Sequence, residues 1–211
     1  MRRLLLIPAL LLCACKVATI RPIEFQDAGS GPQKFDAVKY VESLWAEEMP
    51  GVLEQAVDLA ELLPVVAGGA DIAGARWGRR EGNGPYHVIV KGSGRVLEVD
   101  LSSRTGIAVL QIETPEGPAR ARLQVGPVLQ GTSIRDALPG VSFDQFVNQI
   151  QFAEVANELN ATAEREVLGA LQREDLAGTS LRVVGMATLD GADGLVTVTP
   201  VRLEPEAQAE R

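Results

Sequence analysis

Histidine, cysteine and aromatic residues are scarce in this chain of 211 residues. His87 is the one histidine, the two cysteines stand at positions 13 and 15, and aromatics make up 4% of the sequence. Zinc sites and histidine-based triads draw on several such side chains at motif spacing. The chain also lacks a GxSxG motif, a dinucleotide-binding loop and a phosphate-binding loop. We therefore expect no metal, no cofactor and no enzymatic activity, and we interpret His87 as an ordinary strand residue.

Positive charge is in short supply as well. The chain has 20 Lys and Arg residues against 28 Asp and Glu, for a formal net charge of −8. Nucleic-acid surfaces are rich in basic and stacking side chains, so nucleic acid is not an expected partner. The hydrophobic content of 46% is ample for a folded core built mostly from aliphatic residues.

The N-terminus has the layout of an export signal. Two arginines, Arg2 and Arg3, precede an apolar run from Leu4 to Leu12, which is far shorter than the ~20 residues that span a bilayer. The sequence Leu12-Cys13-Ala14-Cys15 then resembles the bacterial lipoprotein signal, in which the cysteine after a small residue is acylated and becomes the new N-terminus. We therefore predict lipidation at Cys15 and a location on the periplasmic side of the cell envelope, anchored to a membrane. Ordinary secretion is the alternative.

Composition and periodicity divide the chain into five segments: a signal peptide (1–14), a tether (15–34), a helical segment (35–78), an OB-like domain (79–205) and a polar tail (206–211). In the helical segment, apolar spacing predicts helices over Phe35–Glu48 and Val52–Val66, interrupted at Pro50-Gly51, and a short turn of helix over Asp71–Trp77. A helical hairpin and a kinked helix fit the first two equally well.

From His87 the hydrophobic period changes to two. The predicted strands are His87–Leu101 with a glycine bend at 92–94, Ile107–Ile112, Arg120–Val125, Leu181–Leu189 and Leu195–Leu203. After the bend, Leu97, Val99 and Leu101 are expected inward, and on the third strand Arg120, Arg122 and Gln124 are expected outward.

Between the third and fourth strands the sequence predicts a helix. Ser142 and Gln145 have the spacing of a capping box. The expected apolar face of this helix is Phe143, Phe146, Val147, Ile150, Ala153 and Leu159. The order β-β-β-α-β-β matches a five-stranded OB-fold barrel, here preceded by the N-terminal helical segment. The fold class is therefore α+β, with a simple sheet covered by a helix as the alternative.

Two groups of polar residues are candidates for binding. The glycine-rich loop before the first strand carries Arg79, Arg80, Asn83 and Tyr86, and loops are where binding residues concentrate. The second group is Arg135 and Asp136 at the corner after the third strand, with Asn148 and Gln149 beyond them. Arg135 and Asp136 also fit a lock on the start of the helix, and the two amides also fit hydrogen bonds to a loop. Sequence spacing leaves open whether the two groups share one surface.

Together these motifs resemble the bacterial predicted periplasmic lipoproteins catalogued as domain of unknown function 2291. The motifs are the lipobox, Arg79-Arg80 with Gly82–Tyr86, Gly126-Pro127 with Gly131-Thr132, Arg135–Leu138, Ser142–Phe146 with Asn148-Gln149, and Pro200-Val201. The resemblance covers nearly the whole chain after the signal. The family has no assigned activity, but its genes often lie beside those of sugar-uptake ABC transporters, which implies an accessory role.

We therefore expect a non-enzymatic binding or accessory lipoprotein whose partner is a component of a sugar ABC transporter. The first alternative is an OB domain that binds a small ligand or glycan through Arg79, Arg80, Asn83, Tyr86 and Arg135. The second alternative is an unrecognised hydrolase, which would need two polar side chains converging in one pocket.

Overall fold

Helices occupy the start of the fold and strands follow. In the computed structural model, which describes residues 35–189 and 195–206, the helices are α1 (Ala37–Ser43), α2 (Met49–Leu53), α3 (Leu59–Ala67), α4 (Ala70–Trp77), α5 (Ser133–Ala137) and α6 (Gln149–Ala163). The strands are β1 (Val57–Asp58), β2 (Tyr86–Asp100), β3 (Ile107–Thr114), β4 (Gly117–Gln124), β5 (Ser180–Leu189) and β6 (Val196–Pro205). The predicted signal peptide and tether, with Cys15, lie outside the described residues, as do residues 190–194 and the predicted polar tail from residue 207.

Short irregular turns complete these elements. A π-helical turn, Leu44–Glu48, joins α1 to α2, and a second, Glu164–Leu168, extends α6. Phe143–Gln145 and Arg173–Asp175 form 3-10 turns.

The N-terminal helices begin and end at places that differ from the prediction. Pro50 stands at the start of α2, directly after the π-helical turn, and the helical run from Ala37 to Leu53 passes through it. The break comes later, because Val57 and Asp58 pair in parallel with β2 and the Asp58 carboxylate accepts a hydrogen bond of 2.8 Å from the Ala60 N–H. The predicted helix over Val52–Val66 is therefore wrong between α2 and α3. The short helix predicted at Asp71–Trp77 is confirmed as α4.

Strand β2 passes its glycines without interruption over 15 residues. A Cβ on Gly94 would lie 2.5 Å from Ile112 Cδ1, so the glycine lets β3 approach closely. Val88, Val90 and Val96 are all buried, which means that the glycines leave the alternation unchanged. The phase shifts instead at Leu97, where the register slips between Val96 and Glu98.

The predicted inward positions of Leu97 and Leu101 are therefore wrong. Their exposed fractions are 39% and 37%, whereas Val99 packs against the core. Leu97 is outside because the bulge, and not the glycine bend, changes the face on which side chains lie. Leu101 follows the end of β2 at Asp100, where the alternation no longer applies.

The strands pair in a closed cycle. β2 pairs with β3, β3 with β4, β4 with β6, β6 with β5, and β5 again with β2. The β4–β6 pairing is parallel and the other four are antiparallel, while β1 adds a parallel strand to β2. For β2 to β6 the predicted order of three strands, a helical region and two strands is confirmed, but two helices, α5 and α6, stand where one was predicted, and β1 is an additional strand.

Two apolar clusters make up the core. The first lies among the strands and under α3 and α4, with Leu59, Leu110 and Leu123 fully buried. The second joins α1, α5 and α6, and includes Val41, Ile134 and Leu159. The helical segment therefore contributes buried side chains to both clusters.

The buried face of α6 differs from the predicted one. It consists of Phe152, Val155, Ala156, Leu159, Thr162 and Ala163. Val147 and Ile150, which were expected inside, are 87% and 70% exposed, and Ala153 is exposed too. The predicted capping box at Ser142 is present, but it caps only the 3-10 turn. The N-cap of α6 is Asn148, six residues after Ser142, so a different set of side chains faces the core.

Gln124 was expected on the solvent side of the third strand, and this is also wrong. Only 6% of the residue is exposed, because the chain after β4 folds back over it. Its amide nitrogen donates to Thr199 Oγ1 at 2.8 Å and to the Gln130 carbonyl at 3.1 Å.

Within the described ranges, no helix is both apolar enough and long enough to cross a membrane.

Candidate functional site

The loop between α4 and β2 meets the corner that leads into α5. The backbone N–H of Arg79 donates to the His87 carbonyl at 2.8 Å, and the His87 N–H donates to the Arg79 carbonyl at 2.7 Å. Anchored in this way, the loop forms one wall of a cleft of about 340 Å³. The residues that line it are Glu81, Gly84, Pro85, His87, Gly131, Thr132, Arg135, Asp136 and Thr188. The loop and the corner therefore share one surface, in a cleft at the small end of the range of ligand sites.

Arg135 is the positively charged side chain among those that line this cleft, and only 8% of the residue is exposed. Its Nε and Nη2 atoms both lie 2.7 Å from Asp136 Oδ1, and its Nη1 donates to the Phe152 carbonyl at 3.1 Å. The guanidinium carbon lies 3.5 Å from the centroid of the Phe152 ring. These contacts satisfy the buried charge and tie α5 to α6.

Asp136 connects the arginine to the floor of the cleft. Its Oδ2 accepts a hydrogen bond of 2.5 Å from the Thr132 hydroxyl and lies 3.7 Å from His87 Nε2. The side chain is 7% exposed. One carboxylate thus holds three neighbours from two separate parts of the chain.

His87 lies on that floor and is 5% exposed. Its Nδ1 is 3.2 Å from the Thr188 hydroxyl on the adjacent strand. Burial lowers the pKa of His87 below its ordinary value of 6.5, the Asp136 charge opposes this shift, and the Arg135 charge adds to it. At neutral pH the imidazole is consequently uncharged, with one nitrogen able to donate and the other to accept.

A second cleft, of about 400 Å³, adjoins the first. It is lined by Glu81, Gly82, Arg135, Phe143, Gln149 and Phe152. Glu81 and Arg135 belong to both clefts, so Arg135 stands between a polar compartment and one with two aromatic rings. This pair of clefts is called the Arg135 site below.

The other loop candidates line a third cleft, which shares Gly84 and Pro85 with the first. Arg80, Asn83 and Tyr86 line a wider cleft of about 840 Å³ together with residues 69–72 and Leu189. The Arg80 guanidinium carbon lies 4.6 Å from the centroid of the Tyr86 ring. Arg79 contributes its backbone to the ladder with His87, and its side chain lines neither cleft of the Arg135 site.

Asn148, another candidate, has a structural role. Its side-chain oxygen accepts a hydrogen bond of 3.0 Å from the Gln151 N–H and caps α6. Its neighbour Gln149 lines the second cleft. The site therefore unites Arg135, Asp136 and Gln149 from the predicted set and leaves Asn148 outside it.

Sequence reasoning missed His87, Glu81, Thr132 and Thr188. Alternation put Val88 and Val90 on one face of the strand, so His87 fell on the other and was interpreted as a strand-surface or partly buried residue. The missing information was that α5 covers that side. The partners His87 and Thr188 are 101 positions apart, so no local spacing could have joined them. Among the described residues, no group of three His, Cys, Asp or Glu side chains is placed to hold a metal.

Comparison with known proteins agrees with the motifs. A family model described as predicted periplasmic lipoprotein, DUF2291, matches residues 5–204. The chain belongs to this family. The description places the lipoprotein at the envelope, on the periplasmic side and anchored to a membrane, as the N-terminal sequence predicted.

A search of curated proteins found no match. Among solved structures, the lipoprotein is similar to an OB-fold protein from Thermotoga maritima, with a TM-score of 0.66 and 20% identity over 82% of this chain and all of the other. At this identity the likeness concerns the fold alone. It agrees with an α+β architecture of the OB type, as the order of the elements predicted.

In this lipoprotein the Arg135 site offers hydrogen bonds more than net charge. Arg135 and Asp136 neutralise each other, His87 is uncharged, and Thr132 and Thr188 add hydroxyls. Uncharged donors and acceptors on a shared floor suit a neutral polar ligand with several hydroxyl groups. The rings of Phe143 and Phe152 next to them offer apolar surface to one face of such a ligand.

Proposed function

We propose that this lipoprotein is a non-enzymatic binding protein of the envelope and that its binding surface is the Arg135 site. The observation that carries the proposal is the convergence of loop and corner residues on two adjoining clefts that share Glu81 and Arg135. We also interpret the closed cycle of strands as a five-stranded OB barrel. The site then lies on its first and fourth strands, away from the second and third strands with which many OB domains bind oligonucleotides.

The absence of catalysis is part of the proposal, and two features support it. Thr188, His87 and Asp136 form a row of polar side chains, but Asp136 Oδ2 lies 3.7 Å from His87 Nε2, too far for a good hydrogen bond, and already accepts one from the Thr132 hydroxyl. The lowered pKa of His87 weakens it as a general base near neutral pH. A panel of chromogenic ester, phosphate and glycoside substrates tests this part. Turnover that His87→Asn abolishes, while the variant remains folded, would contradict it.

A small hydroxylated ligand, such as a sugar or a cell-wall glycan fragment, is the occupant that fits this site. Its hydroxyls would meet Glu81, Gln149 and the polar floor, and an apolar ring face would meet Phe143. The single charges at the rim and the neutral floor favour an uncharged ligand over a phosphate or a dicarboxylate.

Thermal unfolding in the presence of millimolar sugars and muropeptide fragments tests this assignment. A ligand that binds the folded state raises the melting temperature, with about 2.7 kcal/mol of added stability at 100 times Kd. Glu81→Gln and Gln149→Ala change exposed side chains at the rim and should weaken the shift without unfolding the protein. Glu154→Gln, an exposed α6 change outside the clefts, is the matched control. No shift with any ligand in the panel would overturn the assignment.

A component of a sugar ABC transporter is the second candidate partner. The family resemblance supports it through the reported neighbourhood of the genes. Affinity capture of the membrane-anchored protein from gently solubilised envelopes should enrich a transporter subunit, and Glu81→Gln or Gln149→Ala should reduce the yield if the same site is used. Repeated capture without any transporter subunit would argue against this partner.

A further inference from the structure

Three apolar side chains stand exposed at the end of the fold where α6 begins. Phe143 is 38% exposed, Val147 is 87% exposed and Ile150 is 70% exposed. They are named here the apolar tip. Phe143 lies in the 3-10 turn, Val147 precedes the helix cap, and Ile150 is in the first turn of α6. Apolar side chains that remain in water forgo the stabilisation that burial of their surface would give, in proportion to the exposed area.

The chain enters the described fold beside this tip. Phe35 is the first described residue, and its ring lies 5.5 Å from the ring of Phe146. Phe146 is itself buried and packs against Tyr40 and Phe152, with centroid distances of 5.7 and 5.4 Å. Val147 follows it directly. The peptide that leads back to Cys15 is therefore joined to the fold at an aromatic cluster that borders the apolar tip.

The length of that peptide limits how far the cluster can be from the anchor. Twenty residue steps separate Cys15 from Phe35, and even a fully extended chain of this length spans at most about 70 Å. The anchor therefore keeps the domain within about 70 Å of the bilayer, and an exposed apolar surface next to the point of attachment is within reach of lipid.

The charges around the tip favour neutral over anionic lipid. Between Phe143 and Gln151 the one charged residue is Asp144, whose carboxylate accepts a hydrogen bond from the Ser142 hydroxyl. The other polar residues of this stretch are neutral amides. The whole chain has a formal charge of −8, so attraction to an anionic surface cannot drive the contact. Apolar insertion at a zwitterionic interface can.

We propose that Phe143, Val147 and Ile150 insert into the interface of the bilayer that holds the anchor and so dock the domain on the membrane surface. The proposal rests on the lipid anchor expected at Cys15, and its test uses Val147 and Ile150, which line neither cleft of the Arg135 site. Phe143 also lines the second cleft, and docking therefore places the mouth of that cleft beside the lipid.

Site-specific fluorescence on the acylated protein in vesicles of phosphatidylcholine and phosphatidylethanolamine tests the proposal. The native cysteines are at positions 13 and 15 only, so after signal removal and acylation a new cysteine is the single free thiol. Val147→Cys and Ile150→Cys, each labelled with an environment-sensitive dye, should show a blue shift and lose most of their emission to spin-labelled lipid. Ile72→Cys is the matched control, because Ile72 is 60% exposed and lies on α4, which packs on the other core cluster.

Each outcome bears on the proposal. Equal quenching at all three positions, or none at 147 and 150 while the protein floats with the vesicles, overturns docking and leaves the anchor intact. Failure to float removes the anchor and the proposal together. A blue shift at position 147 without vesicles, growing with protein concentration, assigns the tip to a second copy and also overturns docking. Adding Ile150→Asp to the labelled Val147→Cys protein should abolish most of the lipid-dependent shift.

Discussion

The pair formed by Arg135 and Asp136 shows how two adjacent residues link separate parts of the fold. The arginine reaches α6 through the Phe152 carbonyl, and the aspartate reaches Thr132 and His87. Both side chains are at least nine-tenths buried. A buried pair of this kind contributes modestly by its own attraction, but the loss of one partner leaves the other charge unpaired in the interior.

Asp136→Asn should therefore lower the free energy of unfolding by about 3 kcal/mol. The amide keeps the shape of the side chain but no longer neutralises Arg135. Urea denaturation followed by circular dichroism measures the change. Glu166→Gln is the control, because Glu166 pairs with Arg165 at 3.5 Å with both side chains about half exposed, and such pairs contribute less than about 1 kcal/mol. Equal effects of the two substitutions would contradict a buried, mutually dependent pair.

The lone histidine gives a direct reading of the site's electrostatics. Burial lowers the pKa of His87 below 6.5, so in the window between its folded pKa and 6.5 the unfolded chain binds more protons than the folded one. The stability contributed by the neutral imidazole is present above 6.5 and is lost as the pH falls through the folded pKa. We expect a proton NMR titration of the single imidazole to give a midpoint below 6.5.

Two variants separate the causes of that shift. Asp136→Asn removes a charge that raises the pKa of His87, so the midpoint should fall further. His87→Asn should flatten the pH dependence of the melting temperature across this window. A wild-type midpoint at or above 6.5 would contradict the buried, neutral imidazole.

At the start of α6 the sequence contains a clear capping motif, but the predicted cap is not the one that begins the helix. Ser142 and Gln145 do form the expected capping box, but the helix proper is capped by Asn148. Asn148→Ala should cost about 1 kcal/mol of stability because it leaves helical N–H groups without a partner. Ser142→Ala should cost less, since it caps a 3-10 turn. Urea denaturation measures the loss of unfolding free energy in both variants, and Asn148→Asp, which keeps a capping side chain, is the control. A larger loss for Ser142→Ala than for Asn148→Ala would contradict this prediction.

Most of the strands and helices could be predicted from the periodicity of apolar residues. Clean alternation, as at Ala121 and Leu123, identified the strands, and the order of elements followed. It was harder to predict which face of each element is buried. For β2 this depends on the bulge at Leu97, and for α6 it depends on which of two capping residues begins the helix. Both are decided by neighbouring strands and helices, so a single segment read alone does not contain them.

At the scale of the whole molecule, the same limit applies to the site. Arg135, Asp136 and Gln149 could be predicted as site residues, since each is polar in an otherwise apolar or turn-forming stretch. It did not supply His87 or Thr188, because their burial depends on α5 crossing the outer side of β2 and β5. Closing the five-strand cycle brings the β2–β5 pairing next to the loop, and only that long-range pairing joins the members of the site.

The membrane anchor is the remaining property of the whole molecule, and its proposed position is Cys15. Ala14 precedes Cys15, whereas Leu12 precedes Cys13, and the lipoprotein signal that this stretch resembles has a small residue before the acylated cysteine. Cys15→Ser should abolish labelling by a palmitate analogue, and Cys13→Ser should leave it intact. The two substitutions are chemically identical and two positions apart, so general damage to export would affect both. Labelling that survives Cys15→Ser and disappears with Cys13→Ser would move the anchor to the other cysteine, shift the mature N-terminus by two residues, and lengthen the connection to Phe35 by the same amount.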